Sequence, residues 1–204
     1  MELLLSICLG LGLSAACGFR IFVPFLMMSI ASRAGHMDLG SGFDWIASDA
    51  ALVALAVATA LEIGAYFVPW LDNLLDTAAT PIAVVAGTLA TAAAITDASP
   101  MVTWGLAVIG GGGIAGLIQG GTSIVRGASS IMTAGFGNPI ISAAEAGGSV
   151  GLSALAIAVP VLAVLVVASL LLTITMKALS RRSSGGGDAI PRTSLEPPGA
   201  TEGS

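Results

Sequence analysis

The sequence predicts an all-α polytopic transmembrane bundle of about five spans. Three observations lead there. Only 9% of residues are charged, against roughly 25% in an ordinary soluble domain, and the mean hydropathy is +0.97. The apolar runs are long and continuous, whereas a transmembrane β-barrel shows alternating segments of about ten residues. Finally, 27 glycines accompany abundant alanine, a composition that lets helices approach closely in lipid.

Five apolar stretches follow one another: Leu3 to Ala31, Ala50 to Val68, Pro81 to Thr96, Met101 to Met132 and Ser149 to Ala178. At 1.5 Å per residue the first and fourth would be roughly 40 Å or longer, more than a 30 Å hydrocarbon core accommodates. Each is therefore expected to tilt, protrude or break. Gly18 and Pro24 offer a break in the first, and Gly110 to Gly113 in the fourth, since glycine and proline are the usual sites of helix interruption.

Lys177, Arg181 and Arg182 follow the last stretch and Arg33 follows the first. The positive-inside bias then puts the C-terminus in the cytoplasm. Residues 1–180 form the expected transmembrane helical domain. Residues 181–204 are rich in Gly, Ser and Pro, too polar to build a core, and are expected to be a disordered cytoplasmic tail. The N-terminal run starts Met1-Glu2 with no basic n-region, unlike a cleaved export signal. Cys8 and Cys17 fall on opposite faces of one helix and read as small core residues.

Aligning Arg20 with Arg126 brings Ser6, Gly10 and Ser14 onto Gly112, Gly116 and Gly120, two ridges of small residues. Each arginine is followed by a Gly-Phe pair (Gly42-Phe43 and Gly135-Phe136), an acid and an apolar span that meets a proline (Pro69, Pro160). The pattern allows an inverted repeat with broken first and fourth helices, the ground plan of many secondary transporters.

The motifs Gly12-Leu13-Ser14-Ala15-Ala16-Cys17-Gly18-Phe19-Arg20 with Pro24, Leu61-Glu62 leading to Pro69, Leu71-Asp72-Asn73 with Asp76, and Pro81 with Ala86-Gly87 are arranged in a familiar order. Together with Arg126, Asn138-Pro139 and Glu145, they resemble the bacterial membrane family catalogued as domain of unknown function 4126. The resemblance runs from Leu3 to about Ala178 and implies a helical membrane fold in a bacterial inner membrane, with no settled activity. Relatives in that family carry an Asp-Lys pair where this chain has Tyr66-Phe67, so any coupling role of that pair is missing here.

The charges inside apolar stretches are the candidate functional residues, because an ionised group at membrane depth must pair, meet water or change protonation. Arg20, Glu62 and Arg126 are expected to line a polar pathway or to form internal ion pairs. Straight antiparallel helices would leave Arg20 and Glu62 about 10 Å out of level, so their pairing requires a break or tilt. Asp72, Asp76, Asn138 and Glu145 are expected as a polar cluster in outer loops. Gly10, Ser14, Gly112, Gly116 and Gly120 are the expected helix-packing positions.

Other classes are poorly served. No Gly-Lys-Ser/Thr closes the Gly110–Gly113 run, so a phosphate loop is excluded. No metal-ligand spacing occurs, the one histidine, His36, stands beside Asp38 in a loop, and no serine or cysteine has an evident base. Neither an enzyme nor a metal or other cofactor is expected, and no basic run is present to hold nucleic acid. The partners expected are the lipid bilayer, a further copy of the chain and a small solute or ion. The expected function is that of a small transporter or channel with an Arg/Glu-lined route; the alternative is a non-transporting membrane scaffold or assembly protein.

Overall fold

The computed structural model describes residues 1–65, 69–133 and 137–184, and side chains within these except 69–77, 174 and 177–184. The described chain is all helical: α1 (Glu2–Cys17), α2 (Phe22–Arg33), a short 3-10 turn (Asp44–Ala47), α3 (Asp49–Ala65), α4 (Pro69–Ala94), α5 (Pro100–Leu106), α6 (Gly113–Thr133), α7 (Asn138–Ala158) and α8 (Pro160–Ser184). A π-helical turn, Ala107–Gly112, joins α5 to α6.

The first apolar stretch is broken, as the sequence suggests. α1 ends at Cys17 and α2 begins at Phe22, leaving Gly18 to Ile21 between them. Pro24 falls in the first turn of α2, where its missing N–H would have had no intrahelical partner. A Cβ on Gly18 would sit 2.6 Å from Ile118 Cβ and 2.7 Å from the Ala115 carbonyl, so the break is pressed against α6.

The other spans depart from expectation in three places. The fourth stretch does not break: Pro100–Thr133 is continuous over 34 residues, and its glycines are absorbed by the wider π turn. The Ser14 hydroxyl donates to the Gly111 carbonyl there, giving that turn a partner from α1. The third stretch begins earlier than Pro81, since α4 runs unbroken from Pro69 with Pro81 inside it. The region of Asp72 and Asp76 is thus helical rather than a loop. The fifth stretch is two helices, because Pro160 lacks the N–H that would continue the ladder and Val159 leaves the helical region at φ −142° and ψ 76°. A Cβ on Gly12 would lie 2.8 Å from Ala156 Cβ and 3.1 Å from Ala163 Cβ. Seven residues of straight helix span about 10 Å, so the chain turns sharply between them.

α1 is the central helix. Its second half, from Leu13 to Cys17, is fully buried, and it packs against α4, α7, α8 and the π turn. Helices approach closely here: a Cβ on Gly10 would meet Thr91 Cα at 3.0 Å, and one on Gly87 would meet the Gly111 carbonyl at 2.9 Å. Thr91 Oγ1 also donates to the Gly10 carbonyl at 3.0 Å. Gly10, Ser14 and Gly112 therefore stand at close helix contacts. Gly116 meets only the Val84 side chain, and a Cβ on Gly120 would meet nothing within 4 Å, which removes Gly120 from that set.

The exterior is apolar and the interior holds polar groups. Ile109 is 81% exposed and Ile131 88%, while Arg20, Arg126, Glu145, Ser142, Ser149 and Ser153 are buried. Two helices, Pro100–Thr133 and Asn138–Ala158, are long and apolar enough to cross a membrane among the described residues. With this inside-out polarity they point to a membrane protein. Cys8 is half-buried and Cys17 buried, both as free thiols.

Gly87→Ala is expected to lower stability by about 1–3 kcal/mol through overpacking. Gly148→Ala, where a Cβ meets nothing within 4 Å, should be neutral or stabilising by up to ~1 kcal/mol. Thermal unfolding of both variants in detergent checks this; equal midpoints would contradict the close α1–α4–α6 packing.

Candidate functional site

Three helical segments bring one carboxylate and two guanidinium groups together. Arg20 stands in the break after α1, Arg126 inside α6 and Glu145 inside α7, at 1%, 3% and 5% exposure. Arg126 Nε donates to Glu145 Oε1 at 3.0 Å and its Nη2 donates to Oε2, a bidentate pair of the kind that gives charge-assisted bonds both strength and fixed geometry. Arg20 Nη2 lies 3.4 Å from the same Oε2. It also donates to the Ser142 carbonyl at 2.9 Å and to the Ser142 hydroxyl. The two arginines that the sequence places in matching positions thus converge on one acid.

That acid was expected in an outer loop. Asn138-Pro139 instead opens α7, proline being well suited to the first turn, and Glu145 falls two turns inside the helix. Its neighbours at helical spacing, Ser142, Ser149 and Ser153, are also buried and make the inner face of α7 polar. Ser149 Oγ donates to the Ala16 carbonyl at 3.0 Å, tying α7 to the end of α1 just before the break. Asn138, also expected in a loop, is half-buried at the start of α7 and donates through Nδ2 to Ser130 Oγ at 3.0 Å. Asp72 and Asp76 belong to the α4 backbone, but their side chains lie outside the described residues, as do Tyr66-Phe67 and Gly135-Phe136.

Glu62 comes to the same break from α3, and its carboxylate binds backbone there. Oε1 accepts the Ile21 N–H at 2.7 Å and Oε2 accepts the Phe22 N–H at 3.0 Å. Those are the first, otherwise orphaned donors of α2, and a negative charge there is favoured by the helix dipole. Glu62 therefore caps a half-helix in place of an intrahelical partner. Glu62 thus meets the break at the N-terminus of α2, on the backbone of Ile21 and Phe22.

At the far end of the α2–α3 pair, Arg33 Nη2 meets Asp49 Oδ1 at 2.6 Å and Nη1 donates to the Ala47 carbonyl at 2.8 Å. The loop between, which includes exposed His36, is anchored by buried Met37 and Ile46 and by a 2.8 Å bond from Gly40 N to the Ala93 carbonyl. Among the described residues no group of three His, Cys, Asp or Glu side chains is placed to hold a metal ion.

Chemically the centre is a compact polar cluster of alternating charge, enclosed by helices packed through small residues, at a discontinuity in the central helix. These features, with the apolar exterior, point to a helical membrane protein with an internal ionic centre. Residues 7–179 match the family described as Domain of unknown function (DUF4126), and the chain belongs to that family. No curated protein and no solved structure matches it.

Glu145→Gln removes the counter-charge of both arginines and is expected to cost on the order of 3–5 kcal/mol, the usual effect of stranding a buried charge. Ser142→Ala, which removes one hydroxyl contact to Arg20, should cost only about 1–3 kcal/mol. Denaturation of both variants in detergent gives the order; a larger loss for Ser142→Ala would contradict Glu145 as the shared counter-ion.

Proposed function

We propose that this protein is a small proton-linked transporter for a small solute or ion, set multi-pass in a cytoplasmic membrane with its C-terminus inside. The observation that carries the reading is the discontinuous α1–α2 helix, with Arg20 buried in the break and Glu62 seated on the two N–H groups that open α2. Broken helices with exposed half-helix ends are how transporters expose backbone and charge to a substrate at membrane depth.

Ionised, Glu62 accepts two charge-assisted hydrogen bonds and holds α3 to the start of α2. Protonated, it is a neutral acid that keeps only weak acceptor capacity and loses its attraction to the helix dipole. Proton uptake thus loosens α2 at the break beside Arg20, the step that opens the route. Arg126, locked to Glu145, forms the fixed wall against which Arg20 is positioned.

The orientation follows from Lys177, Arg181 and Arg182 after the last apolar helix under the positive-inside bias. The scaffold alternative draws less support. It needs the glycine ridges to face a second copy, and Gly10, Ser14 and Gly112 are filled from within the chain.

Proteoliposomes loaded with a pH-sensitive dye and exposed to a panel of small anions, cations and neutral solutes test the reading. Wild-type protein is expected to couple at least one solute gradient to internal pH, and Glu62→Gln to fall to the level of empty vesicles while remaining folded. Full coupled flux in Glu62→Gln would overturn the role given to that carboxylate.

A further inference from the structure

Thr59 lacks a bond that several other helical threonines of this protein make. In a helix a threonine hydroxyl ordinarily bonds a carbonyl one turn back. Thr88 does so to Val84 at 2.8 Å, Thr133 to Ser129 at 2.7 Å, Thr173 to Ser169 at 2.7 Å and Thr175 to Leu171 at 2.8 Å. Thr59 is only 9% exposed, and its Oγ1 has no hydrogen-bond partner among the described residues. A buried hydroxyl without a partner is costly unless the site serves something else.

Its position says what that is. Thr59 precedes Glu62 by three residues, one turn along the same face of α3. α3 packs against α2, and two contacts fix the pair as antiparallel: Glu62 on Ile21 and Phe22 at one end, Asp49 on Arg33 at the other. Thr59 lies between these contacts. The Arg33–Asp49 end is open, with side-chain exposures of 37% and 88%, and stands about 15 Å along α3 from Thr59 at 1.5 Å per residue. Ser29, on α2 about 10 Å from Phe22 in the same direction, is fully buried, and its hydroxyl likewise has no partner among the described residues.

We infer that Thr59 is a positioning residue for proton access to Glu62, holding water between α2 and α3 on a route that starts at the Arg33–Asp49 end. This rests on the reading of Glu62 as the protonated group. The step balances simply. A hydronium proton from the aqueous end is passed along water held at Thr59, an O–H bond to that water breaks, and an O–H bond to a Glu62 oxygen forms as the carboxylate becomes neutral. The charged and titratable groups that act on Glu62 among the described residues are Arg20 in the break, Arg126 on α6 and Cys17 at the end of α1, the two arginines being paired in turn with Glu145 on α7. Each reaches it from the side of the break, whereas Thr59 and Ser29 lie toward the open end.

Infrared spectroscopy of the full chain in lipid vesicles tests this. The Glu62 carboxylic-acid band is identified by its loss in Glu62→Gln, and its shift is timed after transfer into heavy water. Thr59→Val, which keeps the shape and removes the hydroxyl, is expected to slow that exchange by about tenfold or more, equivalent to roughly 1.4 kcal/mol on the barrier. Thr59→Ser should restore it. Thr59→Ala gives the same readout if the valine variant does not fold. Exchange in the hydroxyl-free variants as fast as in wild type overturns the role of Thr59 and leaves that of Glu62 standing. Absence of a Glu62 acid band at every pH overturns both.

Discussion

One carboxylate organises the interior of this molecule. Glu145 holds Arg126 through two bonds and Arg20 through a third contact, so helix α7, helix α6 and the break after α1 are fixed to a common point. Burying ions is costly, and their mutual attraction offsets the desolvation only when geometry is good and further hydrogen bonds are made. Bidentate pairing by Arg126 and the Ser142 bonds to Arg20 supply that geometry. Once Arg20 is held there, the first apolar stretch cannot continue as a plain helix through Gly18 to Ile21 without moving it.

The remaining architecture accommodates that constraint. α2 must start again at Phe22 with its first N–H groups inside the protein, and Glu62 satisfies two of them. α1 can lie at the centre because Gly10 lets the α4 backbone come close at Thr91 and Gly12 makes room for Ala156 of α7 and Ala163 of α8. The π turn of Ala107–Gly112 serves the same contact, and Ser14 satisfies one of its carbonyls. Polar side chains here join helix to helix, as expected where lipid gives no hydrophobic drive for helices to associate. α2 and α3 are joined to each other by a capping carboxylate at one end and an exposed ion pair at the other, and α2 packs in turn on α7.

Much of this was legible in the sequence, for identifiable reasons. Charge depletion points to the membrane class and the long continuous apolar runs to helices, while Gly18 and Pro24 in the first run point to its break. Glu62 was found because an acid inside an apolar run is conspicuous; its use as a helix cap was not, since a cap on another helix leaves no sequence spacing. Glu145 reads as a loop residue from hydropathy because Ala143 to Gly148 is weakly apolar and rich in small residues, which starts the apolar span at Ser149. Asn138-Pro139, a helix-opening pair, and the recurrence of Ser142, Glu145, Ser149 and Ser153 on one face were the signals that would have extended it. A glycine run predicts a break because glycine weakens helices; a π turn backed by Ser14 depends on a contact 97 residues away in the chain, which no local pattern reveals.

The most direct test of this account is a double-mutant cycle between Arg126→Gln and Glu145→Gln, read as unfolding free energy in detergent. If Glu145 is the counter-ion that fixes the break, the two losses should be strongly non-additive, with a coupling of about 1–3 kcal/mol and the double variant more stable than the sum predicts. Losses that add to within about 0.5 kcal/mol, the behaviour of independent sites, would contradict it.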